Sequence, residues 1–380
     1  MIIKKARLSG FDANVDVRID HETIADIANE LTAAADEPVV DGYEKWLVPG
    51  FIDLHIHGAG GADVFDGTLA ALQTISRTLA GLGTTAFVAT TMVRPHDNDH
   101  IRMVADHVRT DLGGARLLGL HLEGPFINPE KRGGILIDSI YPYTAPALNE
   151  IFSLSGDALR MMTIATELPH SQELLDTLLQ RSVIPALGHS NCTYEEARSA
   201  FASGVGHVTH LFNAMPGLHH RLPGPAAAVF EDERVTAQVI CDGHHLHPAM
   251  VRLIYRLLGT KRTIVVTDGM RSLGLPDGTY SYNGKLYRAE GGAARYVDDG
   301  TLIGTTQSLG QMRKNLIAFT GASLPEVAKC CSENAARLLG MQDQIGGIQV
   351  GMQADLVLLN PDQSVYMTIV KGKIVYRNDA

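Results

Sequence analysis

Cysteine is scarce in this chain: Cys192, Cys241, Cys330 and Cys331 are the only four in 380 residues. Their spacing fits neither a disulfide framework nor a zinc-ligand pattern, which excludes a stapled scaffold and a thiolate metal site. Long apolar runs are missing too. None is long enough to span a bilayer, and no apolar segment follows Met1-Ile-Ile-Lys-Lys5 to read as a secretion signal. Positive charge is in deficit: 32 Lys and Arg against 42 Asp and Glu leave a formal net charge of −10. That balance argues against general binding to nucleic acid or an anionic membrane, and an anionic ligand would need a local positive site. No Gly-x-Ser-x-Gly elbow, Walker loop or strand-coupled Gly-x-Gly-x-x-Gly occurs, and there is no internal repeat. The expectation is a soluble, cytoplasmic protein without nucleic-acid or membrane partners.

What is present is a chain 45% hydrophobic, enough for a large core. Residues 1 to 48 read as short strands, Ile2–Leu8, Val15–Ile19, Thr23–Ala28 and Lys45–Val48. From Phe51 the rhythm becomes strand, loop, helix. Eight strands are expected: Phe51–His57, Thr84–Thr90, Leu117–Glu123, Met161–Glu167, Val183–His189, His207–Phe212, Ala237–Asp242 and Thr263–Asp268. Helical patterns lie between most of them, such as the face Leu69, Leu72, Ile75, Leu79 and Leu82. Thr193-x-x-Glu196 is a capping box opening the helix after the fifth strand. This alternation suits an α/β fold of the (β/α)8, TIM-like barrel type better than an open doubly wound sheet. A Gly- and Tyr-rich segment, Leu275 to Gly304, reads as a hairpin insertion over the barrel mouth. Helical patterns follow near Thr306–Phe319 and Pro325–Leu339. Strands return at Asp355–Leu359, Met367–Val370 and Lys373–Tyr376. The domain division expected is residues 49–344 for the barrel, with 1–48 and 345–380 forming one small β unit from both termini.

The chemistry starts at Val48-Pro-Gly-Phe-Ile-Asp-Leu-His-Ile-His-Gly58. Strand side chains alternate faces, so Asp53, His55 and His57 share one, and two imidazoles two residues apart can converge on a metal ion. A His-x-His pair is weak alone, and His245-Leu-His247 is a second one. Yet barrel chemistry sits at the carboxyl ends of the strands, where His55, His57, Glu123, His189, His210 and Asp268 all fall. Any one buried histidine is more often a core residue than a ligand. Four histidines, one Glu and one Asp at matching places favour a divalent metal site. Imidazole and carboxylate without thiolate suit zinc, one or two ions, with iron, manganese or cobalt as alternatives. Asp268 is then the natural general base, a role compatible with ligating the metal. The reaction class is metal-assisted hydrolysis.

These residues resemble the amidohydrolase superfamily, and within it the N-acetylglucosamine-6-phosphate deacetylase family, from about Leu47 to Leu359. The motifs are Pro49 to Gly58, His121-Leu-Glu-Gly-Pro-Phe126, Gly188-His-Ser190, His210-Leu-Phe-Asn-Ala-Met215, Asp242-Gly-His-His245, Thr267-Asp268 and Asp299-Gly-Thr-Leu-Ile-Gly304. The resemblance implies a barrel with a small β-sandwich from both termini, a homodimer, and metal ligation by Glu123, His189 and His210. His55 and His57 would join where a second metal or an alternative position is occupied. Members with a carbamylated bridging lysine carry it at strand four, but Met161–Glu167 has no Lys, so Glu123 would bridge. Asp268 matches the family's base and acid, and His245 a substrate-contacting histidine. Asn213 and Ala214 match a stretch whose backbone helps hold the phosphate. Arg221 matches an arginine lent by the neighbouring subunit; without the resemblance it reads as a solvated surface charge.

One position departs from the pattern. Many members carry a histidine in the loop resembling Lys131-Arg-Gly-Gly-Ile135, where this chain has Ile135. The implied activity is metal-dependent deacetylation of N-acetylglucosamine 6-phosphate to glucosamine 6-phosphate and acetate, within amino sugar catabolism. The alternatives are deacetylation of another N-acetylhexosamine 6-phosphate such as the galacto epimer, a different amidohydrolase (deaminase or dipeptidase), and a non-catalytic relative whose barrel serves assembly.

Overall fold

The computed structural model describes residues 1–9 and 13–378. Eight parallel strands pair in sequence order: Phe51–Ile56, Thr84–Thr91, Arg116–Glu123, Leu159–Ile164, Ile184–Leu187, His207–Val208, Thr236–Val239 and Thr263–Val265. The sheet closes where Ile56 bridges Gly269, with His57 N donating to Gly269 O (2.8 Å) and Asp268 N to His55 O (2.9 Å). The strands are almost wholly buried because side chains on one face fill the barrel and those on the other meet the helices. Helix Leu69–Gly81 shows the match between pattern and packing. It buries Leu72, Ile75 and Leu79 against the barrel, with Leu69 and Leu82 packed at the edge. The capping box forms as the sequence predicts: Glu196 N donates to Thr193 Oγ1 (3.2 Å) and Thr193 N to Glu196 Oε2 (2.7 Å).

The later strands end two to four residues sooner than the sequence implies. The cause is local. His189, His210 and Asp268 adopt φ of 48°, 26° and 54°, outside the extended region, so the ladder stops before them. Their side chains therefore hang from short strained turns at the barrel mouth. Such conformations cost about 1–3 kcal/mol each and persist where surrounding structure over-determines them.

The insertion is larger than a hairpin. Gly278–Tyr282, Lys285–Glu290, Ala293–Tyr296 and Leu302–Thr305 form a four-stranded antiparallel meander. It is tied to the barrel by Thr305 N donating to Asp268 O and Met270 N to Thr305 O, both 3.0 Å. The final helical pattern is also broken. Ser332 leaves helical geometry (φ −145°, ψ −70°), dividing it into Leu324–Cys331 and Glu333–Leu338.

Both termini build two four-stranded sheets on the amino-end side of the barrel. One orders Thr23–Ala28, Val15–Asp20, Ile2–Ala6 and Val39–Asp41; the other Lys373–Arg377, Val365–Val370, Leu356–Leu359 and Trp46–Pro49. The strand Val39–Asp41 has no counterpart in the sequence reading. Strand alternation explains the packing. Leu356 and Leu358 face the sandwich core with Ile3, Val17 and Ile369, while Val357 and Leu359 join the barrel's own cluster. Asp355, buried, locks the junction: its Oδ2 accepts from Arg116 Nη1 at 2.8 Å and its Oδ1 from Lys371 N at 2.7 Å. Residues 10–12 and 379–380 of this terminal unit lie outside the described residues. Among the described residues no helix is long and apolar enough to cross a membrane.

Candidate active site

The first barrel strand carries His55, and His57 follows its last residue; Glu123 ends the third. Strained turns after the fifth, sixth and eighth strands bring in His189, His210 and Asp268. All six side chains are buried and converge. Glu123 Oε1 lies 2.9 Å from His189 Nε2, 3.1 Å from His210 Nε2 and 3.5 Å from His55 Nε2. Its Oε2 lies 3.5 Å from His57 Nε2. Asp268 Oδ1 lies 3.5 Å from His55 Nε2 and 3.3 Å from His57 Nε2. Two groups result, Glu123–His189–His210 and His55–His57–Asp268, each with its ligand atoms within 4.8 Å of one another. Glu123 stands between them, in the place expected of a bridging carboxylate.

The donor set suits a small divalent cation. His189 Nε2 and His210 Nε2 are 3.1 Å apart, and both meet the same Glu123 oxygen at comparable distance. A triangle with edges near 3 Å is close to the face of a tetrahedron whose bonds are about 2.0–2.1 Å, the usual zinc–nitrogen and zinc–oxygen lengths. In the other group, the buried His55 Nε2 has no hydrogen-bond partner among the described residues. A buried polar nitrogen aimed at two carboxylates is costly unless something bonds to it.

Electrostatics sort the histidines. Burial pushes His55 down to about 4, despite Glu123 and Asp268 nearby. Burial opposes the charged form of His57 as well, but Asp268 and Glu123 win and raise it to about 9. His245 behaves likewise: burial is outweighed by Asp242 and Asp268, and it rises to about 9. Burial would raise Asp268, yet hydrogen bonds from His245 and His57 hold it well below the usual carboxylate range. The carboxylate is therefore ionised at neutral pH.

Asp268 has a second face. Its Oδ2 lies 3.5 Å from His245 Nε2, whose Nδ1 is 2.6 Å from Asp242 Oδ2. Asp242 Oδ1 also accepts from His244 N and His245 N, both 2.8 Å, which fixes the turn after the seventh strand. The second His-x-His residue does something else. His247 caps the helix that follows, its Nδ1 accepting from Ala249 N (3.2 Å). His121, in the same strand as Glu123, turns to Thr163 Oγ1 (2.8 Å) as a core histidine.

The pocket over these groups is lined by Asn213 and Ala214 on one side, with Met92, Ile135, Tyr282 and Ile303 on another. Ile135 is buried in an apolar cluster with Met92, Met270 and Ile303. No Lys or Arg lines this pocket among the described residues. Arg221 does not reach it. It is exposed on the loop after the sixth strand, and among the described residues its side chain makes no hydrogen bond or ion pair. The remaining nine expected site residues are brought together.

Several partners escaped the sequence reading. Gln238 Oε1 meets His55 Nδ1 (3.0 Å), Tyr282 Oη meets His57 Nδ1 (3.1 Å), and Lys131 O meets His189 Nδ1 (2.7 Å). Gln238 and Lys131 carry no signal in a single sequence. Tyr282 does: Asn283-Gly284 is a strong two-residue hairpin signal, which places the preceding residue beside a turn.

A nearly closed eight-stranded barrel with buried imidazoles and carboxylates converging at its carboxyl end is the architecture of the amidohydrolase class, hydrolases that act on amide bonds. The amidohydrolase family pattern matches residues 46–375. A Bacillus subtilis N-acetylglucosamine-6-phosphate deacetylase is 35% identical over 335 residues, 87% of this chain and 84% of that protein. An Escherichia coli O157:H7 N-acetylgalactosamine-6-phosphate deacetylase is 31% identical over 353 residues, 92% of this chain and 93% of that protein. The crystal structure of a Thermotoga maritima N-acetylglucosamine-6-phosphate deacetylase superposes with a TM-score of 0.88 at 34% identity, covering 100% of both chains. The chain belongs to the N-acetylglucosamine-6-phosphate deacetylase family.

Proposed function

We propose that the protein hydrolyses the acetamide of N-acetylglucosamine 6-phosphate, giving glucosamine 6-phosphate and acetate. The observation that carries this reading is Asp268, an ionised carboxylate with one oxygen toward the histidine pair and the other toward His245. A divalent cation held by Glu123, His189 and His210, with a second at His55, His57 and Asp268, would polarise the amide carbonyl and acidify water. Zinc fits the ligand types best, with iron, manganese and cobalt as the alternatives.

The chain's own residues do the rest. Asp268 Oδ2 takes a proton from the water that attacks the amide carbon and returns it to the leaving nitrogen, so that acetate and a free amine result. His245, braced by Asp242, donates a hydrogen bond to Asp268 or to the sugar. The backbone at Asn213 and Ala214 faces the phosphate. Because no Lys or Arg among the described residues lines the pocket, the fixed charge complement to the phosphate comes from Arg221 of a second copy in a homodimer. The catalytic unit in this reading is residues 49–344; the pocket lining falls within it, between His57 and Ile303. Residues 1–48 and 345–380 form the separate β unit. Four free, buried cysteines agree with a reducing, cytoplasmic setting.

Ile135 favours one variation. An apolar side chain where a polar sugar contact is expected leaves room for an altered epimer preference, the galacto form included. Acetate release measured on the gluco, galacto and manno 6-phosphates, beside their unphosphorylated forms, tests both points. The phosphorylated gluco substrate is expected to be hydrolysed fastest. Ammonia in place of acetate would identify a deaminase and reject the reading.

A further inference from the structure

Each imidazole that gives Nε2 to a cation must keep its proton on Nδ1, and where a polar group faces Nδ1 it sets that choice; His210 Nδ1 has no such partner among the described residues. For His55 and His189 that group is a carbonyl, Gln238 Oε1 or Lys131 O, which can only accept. His57 differs. Its Nδ1 faces the hydroxyl of Tyr282, which can accept or donate. If the hydroxyl donated, the ring's proton would sit on Nε2 and block the side facing Asp268 and Glu123.

A second contact decides the direction. Tyr282 Oη also lies 3.4 Å from Met92 Sδ, an acceptor with no proton to give. The phenol proton has a place to go, and the oxygen lone pair is left for His57 Nδ1–H. The position of this hydroxyl is built, not incidental. Asn283 (φ 46°) and Gly284 (φ 80°) make a two-residue turn with both central residues left-handed, the type I′ hairpin geometry. Tyr282, paired with Lys285 across that turn, is thereby held at the hairpin end, where its side chain lines the pocket. Its ring is buried, 5.6 Å from Phe65 and edge-on to His57.

We propose that Tyr282 is a positioning residue supplied by the inserted sheet: by accepting the His57 Nδ1 proton it determines how tightly the His55–His57–Asp268 group holds a cation. The inference rests on the reading of that group as a cation site. The insertion is then part of the metal centre and not only a cover, and the two cation groups have separable affinities.

The test is zinc affinity measured by competition with a chromophoric chelator, on the full-length protein stripped and reloaded. Wild type, Tyr282→Phe and His57→Asn are compared. His57→Asn identifies which zinc equivalent belongs to this group. Tyr282→Phe keeps the ring and its packing and should weaken that equivalent about 10- to 100-fold, leaving the other unchanged. Met92→Leu, which removes the hydroxyl's acceptor, should weaken the same equivalent to a smaller degree. Wild-type affinities in Tyr282→Phe would overturn the proposal. So would an equal loss of both equivalents, a change in KM alone, or a His57→Asn protein that binds zinc as the wild type does. Zinc binding of the predicted pattern without acetate release would reject the deacetylase reading while leaving this one standing.

Discussion

In the mechanism proposed here Asp268 does two things at once: one oxygen serves a cation group and the other the proton path. Its backbone is fixed independently of its side chain, by Asp268 N to His55 O and Thr305 N to Asp268 O. Asp268→Asn should therefore fold as the wild type does. It should lower kcat at least about 100-fold, the scale of general acid–base catalysis, with a small change in KM. Steady-state kinetics with metal content measured alongside separate loss of the base from loss of an ion. An unchanged kcat would pass the role to His245. Ile135 makes the opposite kind of prediction. Ile135→His exchanges an apolar wall for a polar contact and should change kcat/KM ratios among the three hexosamine epimers while leaving the chemistry intact. Identical ratios would place this side chain outside substrate contact.

At the scale of elements, the strand ends carry the account. Six ligand-type residues were legible because a barrel puts its chemistry at strand carboxyl ends, and period-two patterning located those ends to within a few residues. The left-handed turns at His189, His210 and Asp268 were not legible. No sequence pattern announces a left-handed His or Asp, which persists only where surrounding structure over-determines it. The same limit hid Gln238, whose side chain meets a histidine 183 positions away. The four-stranded form of the insertion was within reach, since Asn283-Gly284 announces a hairpin, but the pairing of its later strands is set by docking on the barrel.

The first terminal strands make a separate pH prediction. Asp16 accepts from Lys4 Nζ (2.6 Å), Lys5 N (2.8 Å) and Leu31 N (2.8 Å). Burial would raise its pKa, but these partners hold it below 3.8. A depressed folded pKa gives stability that is present above the unfolded value and lost as pH falls through the folded one. Wild type should lose thermal stability as pH drops below about 4, and Asp16→Asn should be less stable at neutral pH with a flatter acid limb. Parallel curves for the two proteins would show that Asp16 contributes no such linkage.

The whole molecule faces a charge problem. A chain with a formal net charge of −10 has to hold a phosphate ester in a pocket without its own Lys or Arg. Arg221 from a second copy solves it in the reading proposed here, and a charge-assisted contact of this kind is worth roughly 1.5–3 kcal/mol. Arg221→Ala should raise KM for the phosphorylated sugar about 10- to 150-fold and barely affect the unphosphorylated one. Mixing it with Asp268→Asn protein tests the sharing. After subunit exchange, one site of each heterodimer has both residues, and low-KM activity should return. No recovery despite demonstrated exchange would remove Arg221 from the partner's site.

The central claim is that this barrel cleaves an acetamide with the help of a cation held by its histidine and carboxylate groups. It is tested most directly by acetate release from N-acetylglucosamine 6-phosphate, using chelator-stripped protein titrated with zinc. The account predicts no release from stripped protein and a rate that climbs in proportion to bound metal, with Glu123→Gln failing to recover at the same loading. Full-rate acetate release by the stripped protein, or none at any zinc loading or with iron, manganese or cobalt in its place, would contradict it.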